Sequence, residues 1–214
     1  MIGIRKMLSV LTVGALTTVA AAAQPAAQPA GEREGVKVGD KAPAFSLKCT
    51  EGKTHKLEDL MKDDHIVVLE WFNPECPFVV KHHQHNTTMR DTYRAFKDQK
   101  VRWVAINSGA PGLQGAGLEK NKKYHTDWKM EFPILFDEDG KVGKAYGAVT
   151  SPHMFVIAEG KIAYMGAIDD NSSARTLGET NYVHEALSAL LNGETIKVTS
   201  TRPYGCSVKY APRR

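Results

Sequence analysis

The sequence predicts an α/β fold: a central mixed β-sheet flanked by helices, with an N-terminal β hairpin ahead of it. Two observations carry this expectation. Short continuous apolar runs at residues 65–72 and 101–107 alternate with amphipathic stretches, as buried parallel strands alternate with the helices that cover them. A further hairpin and an amphipathic helix come later in the chain, which adds antiparallel pairing to the parallel half.

In chain order, residues 44–48 and 54–57, joined across Glu51-Gly52-Lys53, predict the first hairpin, and 57–61 a helical turn. Residues 65–72 predict the first buried strand, followed by a helix from Pro77 to about Phe96. A second buried strand is expected at 101–107, a helix at 118–129, a short strand at 132–136 and a helix at 141–146. Residues 154–158 and 161–165 predict a hairpin across Glu159-Gly160. Val183, Ala186, Leu187, Leu190 and Leu191 fall at helical spacing, so 182–191 closes the domain as an amphipathic helix, stopped by Gly193.

The chain has 214 residues, 42% hydrophobic and 24% charged, which suits one domain with a proper core. Arg5-Lys6, the apolar stretch 7–22 and Ala21-Ala22-Ala23 follow the order of a secretory signal peptide over residues 1–23, with cleavage expected after Ala23. The stretch is too rich in Ala, Thr and Gly for a spanning anchor of about 20 strongly apolar residues, so no stable membrane anchor is expected after cleavage. Residues 24–35, rich in Pro, Ala and Gln, read as a flexible linker, 36–193 as the folded domain, and 194–214 as a C-terminal tail carrying Cys206. Loss of Arg5 and Lys6 lowers the formal charge from +4 to +2, too little to suggest nucleic acid. Export, to a periplasmic or extracellular space, places Cys49, Cys76 and Cys206 where disulfides persist. Their odd number leaves at least one unpaired within the chain.

The run Asn73-Pro74-Glu75-Cys76-Pro77-Phe78 lies where the first buried strand gives way to a helix. That places Cys76 at a helix N-terminus, where unpaired N–H groups and the positive end of the dipole favour a thiolate. Pro77 suits the first helical position, its φ being already helical. A free cysteine is often buried and inert, but a strand-to-helix corner between prolines is expected to be exposed.

The arrangement of Trp71, Cys76-Pro77, the strand ending in Asn107, the segment 132–137, Tyr146-Gly-Ala-Val-Thr-Ser-Pro152 and the hairpin after it resembles the redoxins of the thioredoxin superfamily. The resemblance implies a thioredoxin fold, with Ser151-Pro152 in the cis form and lying against Cys76. The sequence is most similar to a branch of the alkyl hydroperoxide reductase and thiol-specific antioxidant (AhpC/TSA) redoxins that carries a Cys-Pro-Phe-Val-x-Lys-His-like helix start and a tail containing Gly-Cys. Here these are Cys76-Pro-Phe-Val-Val-Lys-His82 and Arg202-Pro-Tyr-Gly-Cys206, and the similarity spans residues 36–210. More distantly the chain resembles exported thiol-disulfide oxidoreductases of cytochrome maturation. It departs from ordinary thioredoxins at Val79, where they carry a second cysteine, so a disulfide within the motif is impossible. It departs from peroxiredoxins at Leu69 and Asn73, where they carry a proline and a hydroxyl.

An oxidised or substrate-bound Cys76 needs a second thiol to release it. Cys206 is the preferred resolving cysteine, although 130 residues separate the two and a bridge needs Cα atoms within about 7 Å. A permanent structural bridge from Cys206 to Cys76 or Cys49, worth about 2–4 kcal/mol, is the alternative. Cys49 reads as a buried spectator. Glu70, on the strand leading to the motif, reads as a buried carboxylate that passes protons to or from the departing thiolate; a solvated side chain is the competing reading. His82-His83-Gln84-His85 reads as a polar helix face, since thioredoxin-like copper chaperones carry a second cysteine where Val80 stands here. Asp169-Asp170-Asn171 reads as a turn cap. No cofactor or metal is expected.

Three functions follow: an exported thiol-disulfide oxidoreductase with antioxidant-type activity, in which Cys76 attacks and Cys206 resolves; a peroxiredoxin-like peroxidase acting through a Cys76 sulfenic acid; or a metal-binding or partner-binding module without turnover. The expected partners of the first are a protein or small-molecule thiol or disulfide substrate and an external thiol reductant.

Overall fold

The computed structural model describes residues 35–212. The expected signal peptide and all of the linker but its last residue lie outside the described residues. β1 (Ser46–Cys49) and β2 (Thr54–Lys56) form the predicted hairpin, and α1 (Leu57–Leu60) follows it. β3 (Ile66–Trp71) is buried along its whole length and leads into α2 (Pro77–Val80). Next come α3 (Thr88–Phe96), β4 (Val101–Asn107), α4 (Leu118–Asp127), β5 (Ile134–Phe136) and α5 (Lys141–Tyr146). The chain continues through β6 (Thr150–Ser151), β7 (Met154–Ala158), β8 (Lys161–Gly166), α6 (Tyr182–Leu191) and β9 (Cys206–Ser207).

Seven strands form one mixed sheet in the order β2-β1-β5-β4-β3-β7-β8. β3 pairs in parallel with β4, and β4 with β5, while β7 joins β3 and β8 antiparallel. The continuous apolar character of β3 and β4 has its cause here, because helices and loops cover both sheet faces. One face packs Val68, Phe72 and Cys76 with Val79 of α2, Met89 and Phe96 of α3 and Leu187 of α6. The other packs Val67, Leu69 and Trp71 with Leu57 of α1 and Tyr146 of α5. Glu159 (φ 51°) and Gly160 (φ 72°) both take the left-handed conformation that a tight two-residue hairpin requires. Among the described residues no helix is long and apolar enough to cross a membrane.

One expectation is corrected. The single helix from Pro77 to Phe96 is broken: α2 widens into a π turn over Lys81–His85, and α3 starts afresh at Thr88. Asn86 causes the break, because both its backbone N–H and its side-chain amide bond the Lys81 carbonyl, each at 3.0 Å. The segment after α6, which shows no helical periodicity, returns to the domain. Ser200 bridges Met165, and β9 pairs with β6 in a second, two-stranded sheet.

His153, next to Pro152, is 2% exposed, and neither ring nitrogen has a hydrogen-bond partner among the described residues. Burial pushes its pKa down to about 3. Folded His153 therefore stays neutral while the unfolded chain takes up a proton below about pH 6.5. Stability is full above pH 6.5 and falls toward pH 3, by at most about 1.4 kcal/mol per pH unit from this group. Urea unfolding at pH 7 and pH 5 is expected to show a smaller loss in His153→Leu than in the wild type. Leu69→Ala, at a fully buried site at the centre of β3, is expected to lower unfolding stability by about 2–5 kcal/mol, whereas exposed Val149→Ala changes it by less than about 0.5 kcal/mol.

Candidate active site

The β3 strand ends by handing its last N–H groups to neighbours: Trp71 donates to the His153 carbonyl and Phe72 to that of Ile106. The turn after it is pinned by its own side chains. Asn73 Oδ1 accepts the Glu75 N–H at 2.9 Å, and the Glu75 carboxylate accepts the Gly115 N–H at 2.6 Å and pairs with Lys120 at 2.9 Å. Gly115 has φ of 79°, and a Cβ there would lie 2.0 Å from Asn73 Oδ1, so only glycine allows the loop to close on the turn. Cys76 caps α2 with extended backbone, and Pro77 is the first helical residue.

The Cys76 thiol donates to the Ser151 carbonyl at 2.9 Å. Ser151-Pro152 is cis. Cys76 is fully buried, against the expectation of an exposed corner. The reason is the tail, which the sequence reading left without a fixed place. In the β6/β9 ladder Cys206 stands opposite Ser151, whose carbonyl the Cys76 thiol bonds, so the two cysteines lie beside the same residue. Gly205, at φ of 144°, makes this approach possible, since a Cβ there would sit 2.1 Å from the Ser151 oxygen. Both thiols are free in this structure, as is Cys49. Burial, followed by the contact with Cys76, pushes the half-buried Cys206 thiol up to about 12.

The structure thus brings Cys76, Cys206 and Pro152 together, and places Cys49 in the core on the opposite face of the sheet. Glu70 is fully buried, and its Oε1 is bonded by His83 Nε2 at 2.7 Å, while Oε2 has no partner among the described residues. The polar-face reading of the histidine run is corrected. His82 and His83 are buried, and His83 stacks on Trp128. Their spacing from Val79, three and four residues, was the available signal, because it places them on the face that Val79 buries.

Sequence reasoning gave Lys81 and Tyr204 no role and read Asp169 only as part of a turn cap. Lys81 is wholly buried, its ammonium 3.1 Å from the Asp169 carboxylate, 2.7 Å from the Asn171 carbonyl and 3.3 Å from the Tyr204 hydroxyl. The Tyr204 hydroxyl donates to Asp169 and accepts from His82 at 2.9 Å. Asp169 accepts the Gly178 and Asn171 N–H groups as well. Burial alone would raise its pKa, but Tyr204, Gly178, His82 and Lys81 together hold it below the ordinary value. Asp169 is therefore an ion-pair partner as well as a turn residue. A cavity of about 600 Å³ opens beside this cluster, with Thr150, Asp170, Arg202 and Gly205 in its wall. No group of three His, Cys, Asp or Glu side chains among the described residues is placed to hold a metal ion.

Residues 38–165 match the model of the AhpC/TSA family, more than half of the chain. The thiol-disulfide oxidoreductase ResA of Bacillus subtilis (strain 168) is 28% identical over 164 residues, 76% of this chain and 81% of that protein. The chloroplastic peroxiredoxin Q of Sedum lineare is 30% identical over 112 residues, 52% of this chain and 54% of that protein. The crystal structure of an uncharacterized conserved protein from Geobacillus kaustophilus superposes with a TM-score of 0.74 at 30% identity, covering 83% of this chain and 94% of that one. A thioredoxin-like sheet, a cysteine at the strand-to-helix turn facing a cis-proline segment, and these similarities agree: the chain belongs to the AhpC/TSA family, as a redoxin enzyme of the thiol-disulfide oxidoreductase or peroxiredoxin-like kind.

Proposed function

We propose that the protein is an exported thiol-disulfide oxidoreductase in which Cys76 attacks the substrate and Cys206 resolves the intermediate. The observation that carries this reading is the placement of both cysteines at Ser151, whose carbonyl accepts the Cys76 thiol and which pairs with Cys206 in the β6/β9 ladder. The Cys76 thiolate attacks one sulfur of a substrate disulfide and expels the other as a thiolate. The Cys206 thiolate then attacks Cys76 Sγ and releases the second substrate sulfur. Two electrons pass to the substrate, which takes up the two protons the protein thiols gave up, and the protein is left with a Cys76–Cys206 disulfide. An external thiol reductant returns the pair to its starting state.

Glu70 is assigned the proton-transfer role on its full burial and its unpartnered Oε2, with His83 fixing the carboxylate through Oε1. Pro152 is assigned the wall of the site beside Cys76. Because Cys76 is sealed from solvent, attack on a protein substrate requires the segment around Cys206 to lift. Export rests on the N-terminal sequence pattern alone.

Peroxidase chemistry is the second reading, favoured by the similarity to peroxiredoxin Q. The position that carries a hydroxyl in peroxiredoxins is Asn73, whose amide is spent on Glu75 and Gln114. In a stopped-flow experiment, reduced wild-type protein is expected to react with hydrogen peroxide no faster than free cysteine; a much faster, Cys76-dependent reaction would shift the assignment to a peroxidase.

Cys76→Ser is expected to abolish reduction of insulin disulfides, a loss of at least about 100-fold. Cys206→Ser is expected to accumulate a mixed disulfide with the substrate on Cys76, visible as a non-reducing gel shift. Unchanged insulin reduction by Cys76→Ser would sink the proposal.

A further inference from the structure

A wholly buried lysine needs an explanation, because taking an ammonium and a carboxylate out of water carries a large desolvation penalty that the pair itself seldom returns as stability. The Lys81–Asp169 pair encloses one residue of the tail. Lys81 Nζ lies 5.0 Å from the centre of the Tyr204 ring and donates to its hydroxyl, and Phe78 packs the ring from α2 at 5.8 Å between centroids. Since the Tyr204 proton goes to Asp169, its oxygen accepts from both Lys81 and His82. His82 therefore carries its proton on Nε2 and leaves Nδ1 bare, which agrees with the absence of a partner for Nδ1 among the described residues.

Three of these partners, Phe78, Lys81 and His82, lie within six residues of Cys76, and Tyr204 lies two residues before Cys206. The link therefore joins the two cysteine-bearing segments directly. Beyond Cys206 the tail is held again: the Tyr210 hydroxyl donates to the Ala148 carbonyl, and its ring lies over Gly140 and Gly143, where any Cβ would collide with it.

We infer that Tyr204, held by the buried Lys81–Asp169 pair and His82, is a positioning residue that sets how closely and how often Cys206 meets Cys76. The inference rests on the reading of these cysteines as the exchanging pair. A thiol tied down close to its partner has a high effective concentration, which favours the internal disulfide, and the same tie keeps Cys76 covered. Loosening it weakens the internal bond and uncovers Cys76, two effects of opposite sign on the chemistry of one residue. A purely structural tyrosine would lower stability and leave the pair's equilibrium where it was.

Tyr204→Phe keeps the ring and removes the hydroxyl. Loss of hydrogen bonds to charged partners is expected to shift the glutathione equilibrium of the Cys76–Cys206 disulfide about tenfold toward the dithiol. In the Cys206→Ser background, the same substitution is expected to raise the iodoacetamide alkylation rate of Cys76, mapped by peptide mass, by about tenfold. Leu57→Ala, in the core on the other face of the sheet, serves as the stability control: it lowers the unfolding midpoint and leaves both readouts unchanged. Unchanged equilibrium and alkylation in Tyr204→Phe overturn the inference, as does an equal shift in Leu57→Ala. If wild-type protein never forms the Cys76–Cys206 bond in glutathione buffers, the exchanging-pair reading falls by itself, and the alkylation rates still decide the role of Tyr204.

Discussion

The backbone of Ser151 is the point on which the site depends. Its carbonyl accepts the Cys76 thiol from below, and the same residue stands opposite Cys206 in the β6/β9 ladder. One short strand therefore orders two sulfur atoms that are 130 residues apart in sequence. The cis Ser151-Pro152 bond turns the chain directly into β7, which is hydrogen-bonded to β3, and β3 ends at the turn bearing Cys76. The position of each thiol is thereby referred to the centre of the sheet, where burial is complete and local opening is most costly.

A two-residue ladder is a weak attachment by itself. The tail is secured by polar contacts spread along its length. Thr201 bonds the Tyr164 hydroxyl and the Ala167 N–H, Tyr204 enters the Lys81–Asp169 cluster, the Lys209 carbonyl accepts the Ala110 N–H and Tyr210 reaches Ala148. Most of these fixings are single, part-buried hydrogen bonds, each worth about 1 kcal/mol net. Such a segment opens at a smaller free energy than the core strands it lies on. On the proposed reading this is what the chemistry needs: a second thiol held in place at rest, above a first thiol that a substrate must still reach.

Much of this arrangement was legible in the sequence. The buried strands, the hairpins and α6 follow from apolar periodicity, which reports a local pattern of burial. Cys76 at the strand-to-helix turn follows from the flanking prolines and the strand before it. The tail did not follow, because residues 194–212 carry no periodicity and their order comes from contacts with distant residues such as Ser151 and Asp169. The same cause hid the burial of Cys76, whose cover is supplied by the other end of the chain. His82 and His83 were misread, and Lys81 passed over, for a different reason. A polar run on a helix is normally solvated, and only its partners, Glu70, Asp169 and Tyr204, make burial tolerable here. Those partners come from three separate segments, so no window of sequence contains them all.

On the proposed reading Cys76 and Cys206 form one redox couple while Cys49 stands apart. Peptide mapping by mass spectrometry of wild-type protein oxidised with glutathione disulfide tests it most directly. The expected result is a linkage between the Cys76 and Cys206 peptides, formed within one chain, with Cys49 recovered as a free thiol. A linkage involving Cys49, or a Cys206 that stays free while Cys76 is oxidised, would contradict it.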